Sequence, residues 1–282
     1  MQNCIICNIQ NPTQKTINGV SLLYCTNCTV HVLKQIPNQE SLDTYYSTHY
    51  LMSASEVLAS EHRRMFRLPE QYWLISQIQK QGLKSGDRIL DIGCDKGYFL
   101  DICRRFGFEV YGIEPSQSAK SYTMSIGLNI APSIKDVQPS FQALTLWHVL
   151  EHFTEPRNLL EQCQYLLDDN GFIFIRVPDF ASFWSRVLGR NWIWFQPHNH
   201  YVHYSKKSLC TLIESVGFEV VECHSRKPND NQTFKAGILA DRTLRNSFSY
   251  KQSVRKFLGR LYEHLTGVEI FLVARKRKAP SI

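Results

Sequence analysis

No stretch of this sequence stays apolar for the ~18 residues that a membrane-spanning helix needs, so no transmembrane helix is expected. The opening residues, MQNCIICNIQNPTQKTINGV, contain neither a basic segment nor an apolar one, and no secretory signal is expected. Acidic residues are in the minority, 25 against 32 Lys and Arg, for a formal charge of +7. That balance excludes an acidic, solvating chain. It leaves open an anionic partner such as nucleic acid, or a solvated tail at Arg275–Lys278, and the tail is the simpler account. Regular cysteine spacing is missing beyond residue 28, and the count of nine is odd. A disulfide framework is therefore not expected, and a reducing, cytoplasmic setting is. What remains, 43% hydrophobic and 20% charged residues in a chain of 282, suffices for one large domain and a small appendage.

The appendage is marked by four cysteines. CIIC (Cys4, Cys7) and CTNC (Cys25, Cys28) are two C-x2-C pairs, 17 residues apart. Each pair can fold as a knuckle with two thiolates aimed at one ion, and four thiolates complete a closed tetrahedral shell. A structural Zn2+ ribbon over residues 1–36 is expected, with metal supplying folding energy that so short a segment lacks. Its purpose stays open: such ribbons bind nucleic acid, bind protein or brace a neighbour.

From residue 85 onward, apolar runs alternate with amphipathic ones. RILDIG, FEVYGIEPS, NIAPS, FQALTLW, FIFIRVPD, EVVECHSR and GVEIFLVARKR read as strands. GYFLDICRRFG, SAKSYTMSIGL, EPRNLLEQCQYLLDDNG (stopped by Gly171) and SKKSLCTLIESVGF read as helices. The alternation predicts an α/β, Rossmann-like, doubly wound, mostly parallel sheet, with ligands at the carboxyl ends of the strands. Residues 37–84 read as a helical linker and lid. Residues 180–204, rich in Trp, Phe, Tyr and His, fit no sheet position and can lie over the ligand face. Tyr250, Val254, Phe257, Leu258, Leu261, Tyr262 and Leu265 keep helical spacing, as a packed helix or one that meets a membrane surface or partner.

The turn LDIGCDKGYF (90–99) lacks one of the three glycines such turns usually carry, and Asp95 stands in its place. Glu114 ends the next strand about 20 residues on, where ribose hydroxyls of a nucleoside cofactor would lie. A pyrophosphate against Asp95 would meet like charge: two unit charges about 4 Å apart at an effective dielectric near 20 interact by about 4 kcal/mol. S-adenosylmethionine has no phosphate and carries an ammonium and a sulfonium. Asp91 and Asp95 attract it, and Asp tolerates the left-handed backbone the turn needs.

These features, with VYGIEPS, LTLWHVLEHFTEP, LLDDNGFIFIRVPD and HYVHYSKKSLCTLIESVGF, resemble a class I S-adenosylmethionine-dependent methyltransferase. Within that class they resemble the bacterial group with an amino-terminal cysteine zinc ribbon, related to sugar C- and O-methyltransferases. The resemblance covers most of residues 1–225; residues 226–265 fall outside it. Gln142 stands where the family usually has Asp. The resemblance implies that Asp91, Gly93, Cys94, Asp95 and Gly97 hold the methionine part. Glu114 would take both ribose hydroxyls. Pro115 and Ser116 would line the adenine, and Ile134, Lys135 and Asp136 would flank its amine. Trp147 and His148 would sit near the sulfonium, and Tyr46 and Tyr50 would close over the methionine end.

Methyl transfer depends on alignment and, at an oxygen or carbon acceptor, on a base. His148, His152, His198 and His200 are the candidates. His152, in LEH, also suits loop bracing, and His148 cofactor support. PHNHYVHYS resembles the YHEHxSYFS segment of sugar C-methyltransferases, which places His200 at the active-site histidine and ranks it first. Pro197 and Asn199 depart from that segment, so C-methylation of a ketosugar does not follow. That family's large additional carboxyl-terminal domain is not supplied by these 282 residues. The expected acceptor is a small molecule, sugar-like or a cell-surface glycan or natural-product precursor. The alternatives are an rRNA or tRNA methyltransferase, which the weakly basic ribbon argues against, and a catalytically silent module that keeps the fold.

Overall fold

The computed structural model describes residues 3–10, 12–17, 19–35, 70–226 and 267–278. Most of the expected lid, with Tyr46 and Tyr50, and the expected helix over 250–265 lie outside the described residues.

Seven strands form the main sheet: β4 (Arg88–Ile92), β5 (Glu109–Ile113), β6 (Asn129–Ala131), β7 (Phe141–Trp147), β8 (Leu167–Pro178), β10 (Phe218–Arg226) and β11 (Glu269–Lys276). Their spatial order is β10-β11-β8-β7-β4-β5-β6. The pairs among β4, β5, β6, β7 and β8 are parallel, and β11 runs antiparallel between β8 and β10. Ile270 to Ala274 are fully buried, which is how a strand covered on both faces reads. Reversing β11 brings its first residue, Glu269, opposite Pro178, at the edge where the parallel strands end. Crossover helices at Tyr98–Arg105, Gln117–Ser125 and Pro156–Leu166 cover the faces, and a helix over residues 70–80 precedes β4.

The expected helix stopped by Gly171 is corrected. It ends at Leu166, and Leu167 already pairs with Phe141 in β8. The register slips between Phe141 and Ala143, and Asn170 takes φ +65° there, so the DDNG text makes an irregularity inside a strand. Gln142 fills the place of the usual Asp: its Oε1 accepts from the Arg88 backbone N–H at 2.7 Å, and its Nε2 donates to Asp168. The basic tail is also corrected in part. Arg275 and Lys276 belong to β11, where Arg275 pairs with Glu219 at 2.8 Å and Lys276 donates to the Leu167 carbonyl at 2.6 Å.

A second sheet holds β1 (Thr13–Ile17), β2 (Val20–Tyr24), β3 (His31–Leu33) and β9 (Val202–His203), in that order. Residues 180–204 were expected to fit no sheet position; their last strand instead completes the sheet of the amino-terminal segment. The join has several contacts. Leu33 N–H donates to the Tyr201 carbonyl at 2.9 Å, and the Thr29 and Ser205 hydroxyls meet at 2.6 Å. Arg157 donates to the Ile6 carbonyl at 2.8 Å, and the His31 ring packs against Phe180 at 5.0 Å. Ile6, Leu22, Val30 and Leu33 are buried in one core with Leu150, Tyr201 and Tyr204.

Candidate active site

The turn after β4 is built for close approach. Gly93 has φ +70° and Gly97 φ +65°; a Cβ on Gly93 would stand 2.7 Å from Val149 Cγ2, and one on Gly97 2.4 Å from Leu128 Cδ1. Asp95 sits between them at φ +46°, the left-handed conformation expected of an Asp in a glycine's place. The Gly93 and Cys94 N–H groups both donate to the Ile113 carbonyl, at 2.8 and 3.1 Å, which locks the turn to the end of β5. The Cys94 side chain packs inward with Leu100, Leu128 and Ile130. Only its backbone is offered at the turn.

Three carboxylates meet here. Asp91 is buried, and its Oδ1 accepts from the Thr145 hydroxyl at 2.6 Å. Burial raises its pKa to about 7; the Thr145 bond opposes this, and the charge of Glu114 adds to it. Glu114, also buried, accepts from the Asp95 N–H at 2.9 Å and from the Ser116 N–H at 2.8 Å. Its pKa is raised, first by burial and further by the charge of Asp95, against those two N–H donors. The concentration of negative charge suits a cationic ligand and disfavours a pyrophosphate. Ser116 also caps the helix Gln117–Ser125, while Pro115, Lys135 and Asp136 are exposed at the loops after β5 and β6. Trp147, at the end of β7, packs edge-on against Phe99 at 5.4 Å, and its buried Nε1 has no hydrogen-bond partner.

The structure brings three of the four candidate histidines around Glu151. His148 has φ +56°, a strained angle for a non-glycine residue, and stacks on Trp194 at 4.7 Å. Its Nε2 is 2.9 Å from Glu269, and its Nδ1 is 3.3 Å from Glu151 Oε1, an ion-pair contact without hydrogen-bond alignment. Burial works to lower the His148 pKa, but the Glu269 and Glu151 carboxylates outweigh it and hold the pKa at about 9. His152 Nδ1 lies 2.8 Å from the Asn199 carbonyl, and His200 Nδ1 2.9 Å from the Trp194 carbonyl. A carbonyl only accepts, so each Nδ1 carries its proton, and Nε2 is the ring nitrogen left to meet another group. The two rings are 4.8 Å apart. Burial lowers the His200 pKa to about 4. Tyr201 N–H donates to the Glu151 carbonyl at 2.9 Å and fastens the two segments together. His198 is exposed and stands outside this group.

The sequence reading passed over one further network. Arg176, buried in β8, donates through Nε to Glu269 at 3.0 Å and pairs with Glu70 at 2.9 Å. The signals were present: one arginine inside FIFIRVPD, and one glutamate opening EIFLVA. A buried charge in an apolar strand needs a partner, and here each supplies the other's. Glu269 then anchors His148.

The four amino-terminal cysteines form a separate cluster. Cys4 Sγ is 3.6 Å from Cys28 Sγ, and Cys7 Sγ 3.5 Å from Cys25 Sγ. All four sulfurs lie within 4.8 Å of one another, and all four cysteines are free.

Comparison with known proteins adds the following. A family profile described as a methyltransferase domain matches residues 52–223. A C-methyltransferase, NovU of Streptomyces niveus, is 22% identical over 242 residues, covering 82% of this chain and 54% of that protein. A ubiquinone biosynthesis O-methyltransferase of Coxiella burnetii is 24% identical over 131 residues, 42% of this chain and 56% of that one. The chain thus spans about half the length of the curated relatives it matches. Among solved structures, a SAM dependent methyltransferase from Archaeoglobus fulgidus shares the fold with a TM-score of 0.52 at 19% identity, covering 79% of this chain and all of that one.

Proposed function

The chain belongs to the methyltransferase-domain family, and on that premise we propose that it transfers a methyl group from S-adenosylmethionine to a small molecule, a sugar or a glycan or natural-product precursor. One observation carries the reading. The anionic turn of Asp91, Asp95 and Glu114 and the Glu151–His152–His200 group both occupy the edge where the parallel strands end. S-adenosylmethionine supplies a methyl already activated on a cationic sulfur. The chain's residues supply the rest. Asp91 and Asp95 attract the cationic methionine part, and Glu114 faces the ribose. Gly93 and Gly97 let the backbone approach closely, while Trp147, at the end of β7, would stand near the sulfur. The aromatic segment over 180–204 covers the acceptor, and His200 and His152 see to the acceptor's proton. One relative, the ubiquinone biosynthesis O-methyltransferase, carries a small molecule in its name, which supports that class of acceptor.

The same proposal extends to the cysteine cluster. Four thiolates around Zn2+, with Zn–S near 2.3 Å, place their sulfurs about 3.8 Å apart. The sulfur spacings of 3.5–3.6 Å suit that shell and are far too long for disulfides of about 2.05 Å. Cys4, Cys7, Cys25 and Cys28 would hold the ion and brace the segment that carries His200.

The test is a methyl-transfer screen with labelled S-adenosylmethionine against nucleotide sugars, glycans and total RNA. Turnover with a sugar or glycan sustains the reading. Turnover with RNA alone, weakening steeply between low and moderate salt, would replace it with nucleic-acid modification. Cofactor binding with no turnover on any acceptor would point to a silent module.

A further inference from the structure

We propose that Glu151, His152 and His200 form a second metal site, holding one divalent first-row transition ion against the acceptor. Three observations place it. One donor atom from each of the three residues lies within 4.8 Å of the others. Each histidine is turned by a hydrogen bond from Nδ1–H to a backbone carbonyl, Asn199 for His152 and Trp194 for His200, so Nε2 is the donor. Metal-binding histidines are oriented in this way by the partner of their other ring nitrogen. Glu151 is 1% exposed, and neither of its carboxylate oxygens has a hydrogen-bond partner. His148 stands 3.3 Å from Oε1 as an ion-pair contact, and Oε2, buried and without a hydrogen bond, is the oxygen a further cation would relieve. His148, 3.3 Å from Glu151 Oε1 and tied to Glu269, backs the carboxylate as a positioning residue.

Two imidazoles and one carboxylate are a donor set for Zn2+, Fe2+, Co2+ or Mn2+, and three protein ligands leave coordination positions open. His152 is partly exposed, while Glu151 and His200 are buried. This rests on the methyltransferase reading and specifies how the two histidines manage the acceptor's proton. An acceptor hydroxyl held at the ion loses its proton to water at reduced pKa. Its oxygen then attacks the methyl carbon as the carbon–sulfur bond breaks. The electron pair leaves with sulfur as neutral S-adenosylhomocysteine, and the methyl ether remains.

The experiment uses the full chain, stripped with chelator and titrated with Co2+. Thiolate and nitrogen–oxygen sites have different visible spectra, so each can be followed in one sample. Two equivalents are expected, one with intense thiolate charge-transfer bands and one with weak ligand-field bands alone. Glu151→Gln and His152→Asn should each lose the second signature and keep the first, and Cys25→Ser should do the reverse. S-adenosylmethionine binding, followed by calorimetry without acceptor, should persist in Glu151→Gln and His152→Asn. A wild-type chain that binds S-adenosylmethionine but takes up only the thiolate-bound equivalent overturns the site and leaves His200 as a free base. Retention of the second signature in both variants overturns it too. A wild-type chain that binds two equivalents but no S-adenosylmethionine would sink the methyltransferase reading and leave the metal site standing.

Discussion

The cysteine cluster and the Glu151–His152–His200 cluster are built on opposite plans. The first has four identical donors in two C-x2-C knuckles, enough to fill a tetrahedral shell. The second has three mixed donors from two segments, one short of such a shell. Each cluster has one partly exposed member, Cys7 in the first and His152 in the second, so the number of donors and not their exposure sets the two apart. A closed shell can only hold a fold, whereas an open one can meet a substrate. Yet the two clusters share a wall, because β3 of the cysteine segment pairs with β9, which begins two residues after His200. The difference in chemistry coexists with a mechanical link.

The comparison breaks most sharply at the open cluster. His200→Ala should lower kcat by about 10²–10⁴, the usual worth of managing a substrate proton, with S-adenosylmethionine affinity nearly intact. Single-turnover kinetics and calorimetry check this, and a normal kcat in His200→Ala beside an inactive His152→Ala would move the chemistry to the LEH loop. Cys25→Ser should do the opposite first. If the segment is metal-held as proposed, its loss should lower the melting temperature by on the order of 10 °C, since each kcal/mol is worth about 2–4 °C in a domain of this size. Because β9 is shared, the acceptor KM should rise as well. A variant with lowered stability and an unchanged KM would show that the wall does not transmit.

Two further tests concern neither cluster and so calibrate both. Glu114→Ala should weaken S-adenosylmethionine by about 1.5–3 kcal/mol, the scale of hydrogen bonds to a charged group, while both metal signatures persist. An unchanged affinity would place the ribose elsewhere. The remaining test is of pH. With its pKa raised to about 7, Asp91 is a neutral acid below that pH and a carboxylate above it. A cationic ligand favours the carboxylate, so affinity should climb about tenfold per pH unit up to pH 7 and level off beyond. Stability of the empty protein runs the other way: it is lost as pH rises from the unfolded value near 4 toward 7. Asp91→Asn should flatten both profiles, and a sloping calorimetric profile in that variant would assign the titration to another group.

The sheet and the anionic turn were legible because their signals are local. Asp91, Gly93, Asp95 and Gly97 lie on one strand–turn–helix, and Glu114 follows at a fixed distance. The cysteine knuckles are local too. The histidines could be named singly, but their meeting around Glu151 depends on Tyr201 reaching back to the Glu151 carbonyl across 50 residues. No periodicity reports such a contact. β9 is only two residues long, too short to alternate visibly. Arg176 and Glu269 were readable as misplaced charges, but their pairing depends on β11 being reversed between two strands that run the other way.

The pairing of β3 with β9 sets an order of events during synthesis. Thr29 and Ser205, which meet across that join, are 176 residues apart. At roughly 5–20 residues per second, the ribosome separates their appearance by about 9–35 s. For that interval the β1–β2–β3 segment has an unpaired edge at β3, the kind of edge that recruits the wrong strand. An ion already clasped by the four thiolates would keep the nascent edge in its final shape until its own partner emerges.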